Sequence, residues 1–196
     1  MDSTFRECRN LKEVNLTNFN ARNVEYLGGL FMDCTSLISV DLSTFKTSNK
    51  LKDTRNMFYK CTSLKYINLS NFNTENVDIM AYMFHYCTSL QTLDLSSFNT
   101  KNVYTMRSVF AGSSSLTELN IKNFNTTKAY NMNSMLRSCS SLKTLDLSHF
   151  QFSKDSHLDY MLADCSSLKL LFLPKTSSTL SPNNFLYRTD AKVIYK

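Results

Sequence analysis

The residues with the clearest capacity for chemistry are six cysteines in a chain of 196 residues. Thiols can form disulfides, bind a metal ion or act as nucleophiles. The sequence contains no CxxC pair, and its three histidines do not recur with the cysteines, so the spacing of a zinc site is missing. The cysteines instead recur at one interval, or at twice that interval: Cys8, Cys34, Cys61, Cys87, Cys139 and Cys165.

This interval belongs to a repeat of 26 residues, with one step of 27, that fills most of the chain. Phenylalanine or leucine stands three residues before each cysteine position, and Ser113 occupies that position in one copy. An LxxLxL pattern follows, as at Leu90, Leu93 and Leu95. Repeats of about 20–29 residues with this pattern are typical of leucine-rich repeats, which stack into a solenoid.

The residue pattern within each copy of the repeat predicts a strand, a turn, a short helix and a second turn. Leu93 and Leu95 alternate with polar residues, as in a half-buried strand, whereas Met80, Met83, Phe84 and Cys87 would share one face of a helix. Helices pack roughly 8–10 Å apart and parallel strands about 4.8 Å apart. We therefore expect an α/β leucine-rich repeat solenoid, a curved horseshoe-like array with a parallel sheet on its concave side and short helices on its convex side. Tight 3₁₀ turns in place of helices would flatten the arc.

The repeats predict one domain over residues 1–196, with about seven copies between residues 5 and 173. The pattern breaks after Leu173 at LPKTSSTLSPNN and resumes at Phe185, Ala191 and Ile194. Residues 174–196 are therefore predicted to form a degenerate eighth repeat and a C-terminal cap. The N-terminal residues have no apolar core of a signal peptide, and no apolar run is long enough to span a bilayer.

The cysteine column favours reduced, buried thiols that pack as small apolar residues. A disulfide needs Cα atoms within about 7 Å, which is closer than neighbouring helices approach. Serine at position 113 fits a packing position better than a bonded pair.

Polar residues beside the buried strand positions form columns on the predicted concave face. Asn and Asp alternate in one column, at Asn68, Asp94 and Asp146 for example, and these residues are suited to ending strands. Residues that differ between copies are better candidates for specificity. The predicted binding site comprises Lys65, Tyr66, Asn68, Gln91, Asp94, Lys143, Asp146 and His149.

The sequence contains little that would support a calcium site, a catalytic site or a phosphate-binding loop. One Asn or Asp per copy supplies too few oxygens for calcium, which binds about 6–8. Asparagines after the FNT turn predict a ladder of side chains bonded to turn backbone: Asn23, Asn49, Asn76 and Asn102. The histidines form no catalytic arrangement, and three glycines build no phosphate loop. We expect no enzyme activity, no cofactor and no metal.

The segment MFHYCTSLQTLDLSSFNTKNVYTM, residues 83–106, resembles the 26-residue repeat of BspA-like leucine-rich repeat proteins of bacteria. The Cys, SL, LDLS, FNT and NV positions match together in several copies, and the resemblance covers about residues 5–173. Members of that family are secreted or surface proteins, and several are implicated in adhesion to host matrix, host cells or other microbes. The resemblance implies a surface or secreted location and a binding role, and it assigns no catalytic residue.

The sequence and the resemblance together predict a non-catalytic module that binds a protein or glycan on a host or neighbouring cell through its concave face. An intracellular, cytoplasmic protein–protein scaffold and a structural spacer in a longer array are the alternatives. We expect a monomer or part of a longer array. The net charge of +6 is modest and spread along the chain, and no nucleic-acid-binding motif accompanies it.

Overall fold

The LxxLxL segment of each copy forms a short parallel strand. The computed structural model describes residues 1–176 and 185–196, which include eight strands. One copy of the repeat is called a rung, and each rung consists of a strand and the turn segment that precedes it. The strands, numbered by rung, are β1 Glu13–Val14, β2 Ser39–Asp41, β3 Tyr66–Asn68, β4 Thr92–Asp94, β5 Glu118–Asn120, β6 Thr144–Asp146, β7 Leu170–Leu173 and β8 Lys192–Tyr195.

The strands pair in register from rung to rung. Val40 lies beside Val14 and Ile67, and Leu93 lies beside Leu119, so equivalent apolar residues stack inside the solenoid. The hydrogen-bonded strands form three groups, β1–β2–β3, β4–β5 and β6–β7–β8. The predicted leucine-rich repeat solenoid with a parallel sheet is confirmed.

A second line of parallel pairing runs along the opposite edge of the rungs. It consists of single bridges between equivalent residues: Tyr26, Asp53, Ile79, Thr105, Asn131 and His157. The chain therefore meets its neighbouring rungs with backbone hydrogen bonds on both sides of the apolar core.

The predicted convex helices are wrong, because turns hydrogen-bonded to the next rung replace them. The amide of Phe58 donates to the carbonyl of Met83 at 2.8 Å, and the amide of Lys60 donates to that of His85 at 2.8 Å. Within the rung, the amide of Cys61 closes a turn on the carbonyl of Phe58 at 3.1 Å. These bonds satisfy groups that a helix would satisfy four residues along its own chain. The apolar spacing was compatible with both arrangements.

Residues with a left-handed backbone conformation, that is with positive φ, make these turns possible. Lys60 has a φ of 56°, and Asn56, four residues earlier, has the same value. Among the described residues, thirteen other than glycine have positive φ, and all lie in turn segments. These positions could not be recognised from the residue types, because only Asn56 among the thirteen is an asparagine.

Replacing helices by turns removes the expected cause of strong curvature. Ring centroids of Phe31 and Phe58, in the turn segments, lie 5.5 Å apart. Those of Phe72 and Phe98, which follow the strands, lie 6.0 Å apart. Since rungs are spaced similarly on both sides, the flatter alternative holds, and the side called concave above is hereafter the sheet face.

The one-residue insertion in the second repeat is absorbed locally. Thr47 and Leu51 are separated by one residue more than their counterparts Thr74 and Val77 in the next rung. The rings of Phe45 and Phe72 still stack, with centroids 6.4 Å apart, and the bridge between residues 53 and 79 returns to a step of 26.

The cysteine column forms a ladder of thiol hydrogen bonds. Cys87 Sγ donates to the carbonyl of Phe58 at 3.2 Å, and Cys61 Sγ donates to that of Phe31 at 3.1 Å. Ser113 Oγ makes the equivalent bond to Phe84 at 2.8 Å. Burial raises the pKa of Cys87 to about 12. The prediction of buried thiols is confirmed for every cysteine except the exposed Cys8, and the hydrogen bonds show that the position uses a donor as well as a small side chain.

The last rung is shorter than the others and shifted by one residue from the predicted alignment. Val193, not Ile194, pairs with Leu171. Thr189 Oγ1 donates to the carbonyl of Leu162 at 2.6 Å and so takes the cysteine position of the ladder. Phe185 is buried against the core. Residues 177–184, in the predicted break of the pattern, lie outside the described residues.

Two substitutions of Cys87 should separate the contribution of its hydrogen bond from that of its packing. Cys87→Ala removes one of the two donors to the carbonyl of Phe58, whose other donor is the amide of Cys61, and the lost hydrogen bond costs about 0.5–1.5 kcal/mol. Cys87→Ser keeps a donor, as Ser113 does, and should lose clearly less stability. Urea unfolding of the purified variants measures both changes, and equal losses would show that the hydrogen bond contributes nothing.

The left-handed turns predict opposite effects of glycine at two exposed lysines. Lys60 has a positive φ, whereas Lys52 lies beside the bridge ladder with negative φ. Lys60→Gly relieves a conformation that costs a non-glycine residue roughly 1–2 kcal/mol, and Lys52→Gly only adds backbone freedom to the unfolded chain. The midpoint of thermal unfolding should therefore be higher for Lys60→Gly than for Lys52→Gly, and the reverse order would contradict this account.

Candidate functional site

The sheet face consists of the outward side chains of β1 to β7. Leu93 is buried inside the rung, while Thr92 and Asp94 on either side of it are exposed. The same alternation gives a first outward column with a different residue in most rungs: Glu13, Ser39, Tyr66, Thr92, Glu118, Thr144 and Leu170. The second outward column contains Asn15, Asp41, Asn68, Asp94, Asn120, Asp146 and Phe172.

The second column is occupied by local hydrogen bonds. Asp94 Oδ1 accepts from the amide of Ser96 at 2.8 Å, and Asp146 Oδ1 accepts from that of Ser148 at 2.9 Å. Asn68 Oδ1 accepts from the amide of Ser70 at 3.2 Å. Hydrogen bonds from Ser96 hold the pKa of Asp94 below its ordinary value. These side chains end the strands, which is the structural role that the repeated Asn and Asp indicated.

Tyr66 is the most exposed large apolar side chain of the sheet face, at 57%. It lies where the sheet is interrupted, because β3 and β4 belong to different hydrogen-bonded groups. A shallow depression of 250 Å³ is found at this interruption and is lined by Tyr66, Asn68, Asp94 and Ser96 among others. The structure thus brings three predicted site residues, Tyr66, Asn68 and Asp94, to one place.

Lys65, Gln91 and Lys143 are exposed but do not line this depression. They occupy equivalent positions in rungs 3, 4 and 6, just before the strands. They therefore form part of a row along the edge of the sheet face, and their role in binding stays a prediction.

His149 has a structural partner. Its Nε2 lies 3.0 Å from the carbonyl oxygen of Ile121 in the preceding rung. Asn123 and Asn71, at the same position of their rungs, bond the carbonyl one residue further along, in Ser96 at 2.7 Å and Ser43 at 2.9 Å. Ser97 bonds the counterpart carbonyl of Leu69 at 3.4 Å. The half-buried His149 therefore bonds the preceding rung, as other residues of this column do, with the proton on Nε2. Its part in binding is untested.

Asp146 forms an ion pair with Lys196 at 2.9 Å. The ammonium group also lies 3.5 Å from the ring centroid of Phe172. Burial alone would raise the pKa of Asp146, but hydrogen bonds from Ser148 and Lys196 outweigh it and lower that pKa to about 2. This pair joins the last described rung to the sheet face and leaves Asp146 less available to a ligand than Asp94.

A buried threonine ladder was missed by the sequence analysis. Thr74 Oγ1 donates to the carbonyl of Asn99 at 3.1 Å and accepts from the amide of Asn99 at 2.8 Å. Thr100 bonds Asn125 in the same two ways. The signal was present in the recurring FNT. The predicted asparagine ladder also exists, since Asn76 Nδ2 donates to the carbonyl of Asn49 at 2.9 Å.

Within residues 1–176 and 185–196, no cluster of three His, Cys, Asp or Glu side chains could hold a metal ion. In the same described part of the chain, no helix is both long and apolar enough to cross a membrane.

The Asp146–Lys196 pair predicts a defined pH dependence. Because the folded pKa of Asp146 is lowered from 3.8 to about 2, its contribution is present above pH 4 and is lost as the pH falls towards 2. Both side chains are nearly half exposed, so a double-mutant cycle of Asp146→Asn and Lys196→Gln should give a coupling of about 0.2–1 kcal/mol at neutral pH. Urea unfolding at several pH values measures it, and a coupling that grows towards pH 2 would contradict the assignment.

Comparison with solved structures finds similarity to other repeat proteins. It is similar to a leucine-rich repeat protein from Bacteroides ovatus, with 19% identity, a TM-score of 0.41, and coverage of 98% of this chain and 62% of that one. A leucine-rich cell surface protein from Faecalibacterium prausnitzii gives 17% identity, a TM-score of 0.40, and coverage of 99% and 62%. An internalin from Listeria monocytogenes gives 12%, 0.35, and coverage of 94% and 56%. The chain spans less than two thirds of the length of each.

No curated protein sequence matches the chain. The sequence profile of a family described as "Mycoplasma protein of unknown function, DUF285" matches residues 1–92 and 52–172. These two overlapping matches cover residues 1–172, which is most of the repeat array. The chain belongs to this family.

Proposed function

We propose that this chain is a non-catalytic recognition module that binds a protein or glycan through its sheet face. The single observation that carries the proposal is Tyr66, an exposed aromatic residue at the interruption between β3 and β4, beside a depression that contains Asp94. Exposed aromatic side chains next to depressions are common anchors of binding interfaces.

The distribution of structural bonds explains why this part of the surface is suited to specificity. The Cys, Thr and Asn columns and the Asn/Asp column all make hydrogen bonds that hold rungs or turns in place. Among the described residues, the column containing Tyr66 and the row containing Lys65 make such a side-chain bond only at Thr117, so their residues can differ without loss of the fold. Variation at Lys65, Tyr66, Gln91 and Lys143 is therefore compatible with selection for a partner.

The sheet face offers a rigid array of short polar side chains around one aromatic residue. Repeat solenoids commonly use such extended surfaces for partners. Adhesion to a host or neighbouring cell, at the cell surface or after secretion, is the role that we propose for it. A cytoplasmic scaffold would use the same face, and a spacer would use none.

Binding of the purified chain to matrix proteins, glycans and host cells tests this proposal. A variant with Lys65→Glu, Tyr66→Ser, Gln91→Glu and Lys143→Glu should lose at least about tenfold in affinity, since removal of an anchor residue costs roughly 2 kcal/mol or more. Circular dichroism and the unfolding midpoint check that the variant keeps its fold.

A matched control carries Tyr130→Ser and Lys154→Glu, which remove a tyrosine and a lysine outside the sheet face. It should bind like the unaltered chain. Equal binding by both variants would exclude the sheet face, and absence of binding by the unaltered chain across the panel would favour the spacer.

A further inference from the structure

The exposed side of the turn segments is hereafter called the turn face. In rungs 4 to 6 the turn segments are residues 79–87, 105–113 and 131–139, and they contain Arg107 and Arg137 but no Asp or Glu. Both arginines are exposed. Rungs 4 to 6 of the turn face therefore carry two positive charges, whereas the turn segments of rung 2, with Asp33, and rung 7, with Asp159 and Asp164, are acidic.

Gly112 lines a depression in the middle of this surface, and the ring of Tyr86 packs over it. The equivalent position has a side chain in the preceding and following rungs, Tyr86 and Ser138. A Cβ atom at Gly112 would lie 2.5 Å from Cδ1 of Tyr86, so the tyrosine ring occupies space that a side chain would need. The depression has a volume of 370 Å³, within the roughly 300–1,000 Å³ of ligand pockets.

The walls of the depression are aromatic rings, guanidinium groups and hydroxyls. Tyr82, Tyr86, Arg107 and Arg137 line it together with Ser108, Ser134 and Ser138. The guanidinium carbon of Arg107 lies 5.9 Å from the ring centroid of Tyr82. Tyr86 is 45% exposed, and its ring packs over Gly112 and lies edge-to-face with His85, with centroids 4.4 Å apart.

His85 also lines the depression and remains neutral. Its ring stacks on Tyr59, with centroids 5.1 Å apart. Burial and the charge of Lys60 lower the pKa of His85 to about 4. Its buried Nδ1 has no hydrogen-bond partner among the described residues. The positive charge at the depression therefore comes from arginine, and an unpaired polar atom lies in its wall.

We propose that this depression on the turn face binds a carboxylate-bearing saccharide unit, such as a uronic acid. The face of a tyrosine ring packs against the C–H groups of a sugar ring, serine hydroxyls bond sugar hydroxyls, and a guanidinium binds a carboxylate with two parallel hydrogen bonds. Arg107 makes no ion pair within the described residues and is the group for the carboxylate. This site is separate from the sheet face and does not depend on the function proposed for it.

The same surface is less suited to a nucleic acid. A phosphate backbone needs cations spaced along its length. Arg137 already forms an ion pair with Asp164, with 3.5 Å between Nε and Oδ2. Among the described residues that line the depression, this leaves the guanidinium of Arg107 as the one without an ion pair. One cation beside aromatic rings and hydroxyls matches one carboxylate on a polyhydroxylated ring.

Titration calorimetry with an oligosaccharide of alternating glucuronic acid and N-acetylglucosamine tests the site. The matched ligand is the same oligosaccharide with its carboxyl groups reduced to alcohols, which should bind at least about tenfold more weakly because a charge-assisted hydrogen-bond pair is lost. Amide NMR shifts should map binding to residues 107–112. No saturable binding, or equal binding of the reduced form, would overturn the proposal.

Two variants locate the carboxylate partner. Arg107→Gln should weaken binding about tenfold and Arg107→Lys less, since lysine keeps the charge without the planar fork. Arg22→Gln removes an exposed arginine elsewhere and should change nothing. Equal losses in Arg107→Gln and Arg22→Gln, or tighter binding of a single-stranded oligonucleotide at residues 107–112, would overturn the saccharide assignment. The sheet-face variant should retain this binding, so the two proposals fail independently.

Discussion

The fold depends on backbone hydrogen bonding between successive rungs. Three sets of these bonds join the rungs: through the strands within each of their three groups, through the single bridges and through the turn segments. They fix one spacing between rungs all round the core, and equivalent side chains must therefore stack on themselves. A side chain is acceptable in a column only if it can lie beside its own counterpart, which explains the stacked phenylalanines and the ladders of cysteine, threonine and asparagine.

The same constraint divides the surface into positions whose side chains hold the rungs in place and positions whose side chains do not. Columns that bond to neighbouring rungs or turns keep nearly the same residue, whereas the first outward column of the sheet face and parts of the turn face vary. Tyr66 and Arg107 both stand at positions of the second kind. Sites that differ from rung to rung can therefore be placed on a scaffold whose interior scarcely changes.

The sequence was sufficient to predict the parallel solenoid, because Leu93 and its counterparts must be buried in every copy. It could not distinguish a helix from turns at Met80 to Cys87, since both bury the same residues and the deciding bonds are made to the next rung. Ser113 showed that the cysteine position is not restricted to cysteine, but its carbonyl partner Phe84 became evident only in the structure. Tyr66, Asn68 and Asp94 do lie together, while the depression around Gly112 was missed because its neighbours come from different copies.

The insertion between Thr47 and Leu51 shows that a rung can change length in one turn while the following bridge returns to register. A gene of this kind can gain or lose a codon in that turn without shifting the residues of later copies. Unequal recombination between copies would likewise produce whole rungs that fit on either side. The array can therefore lengthen, shorten and exchange its exposed residues over evolutionary time while each intermediate remains folded.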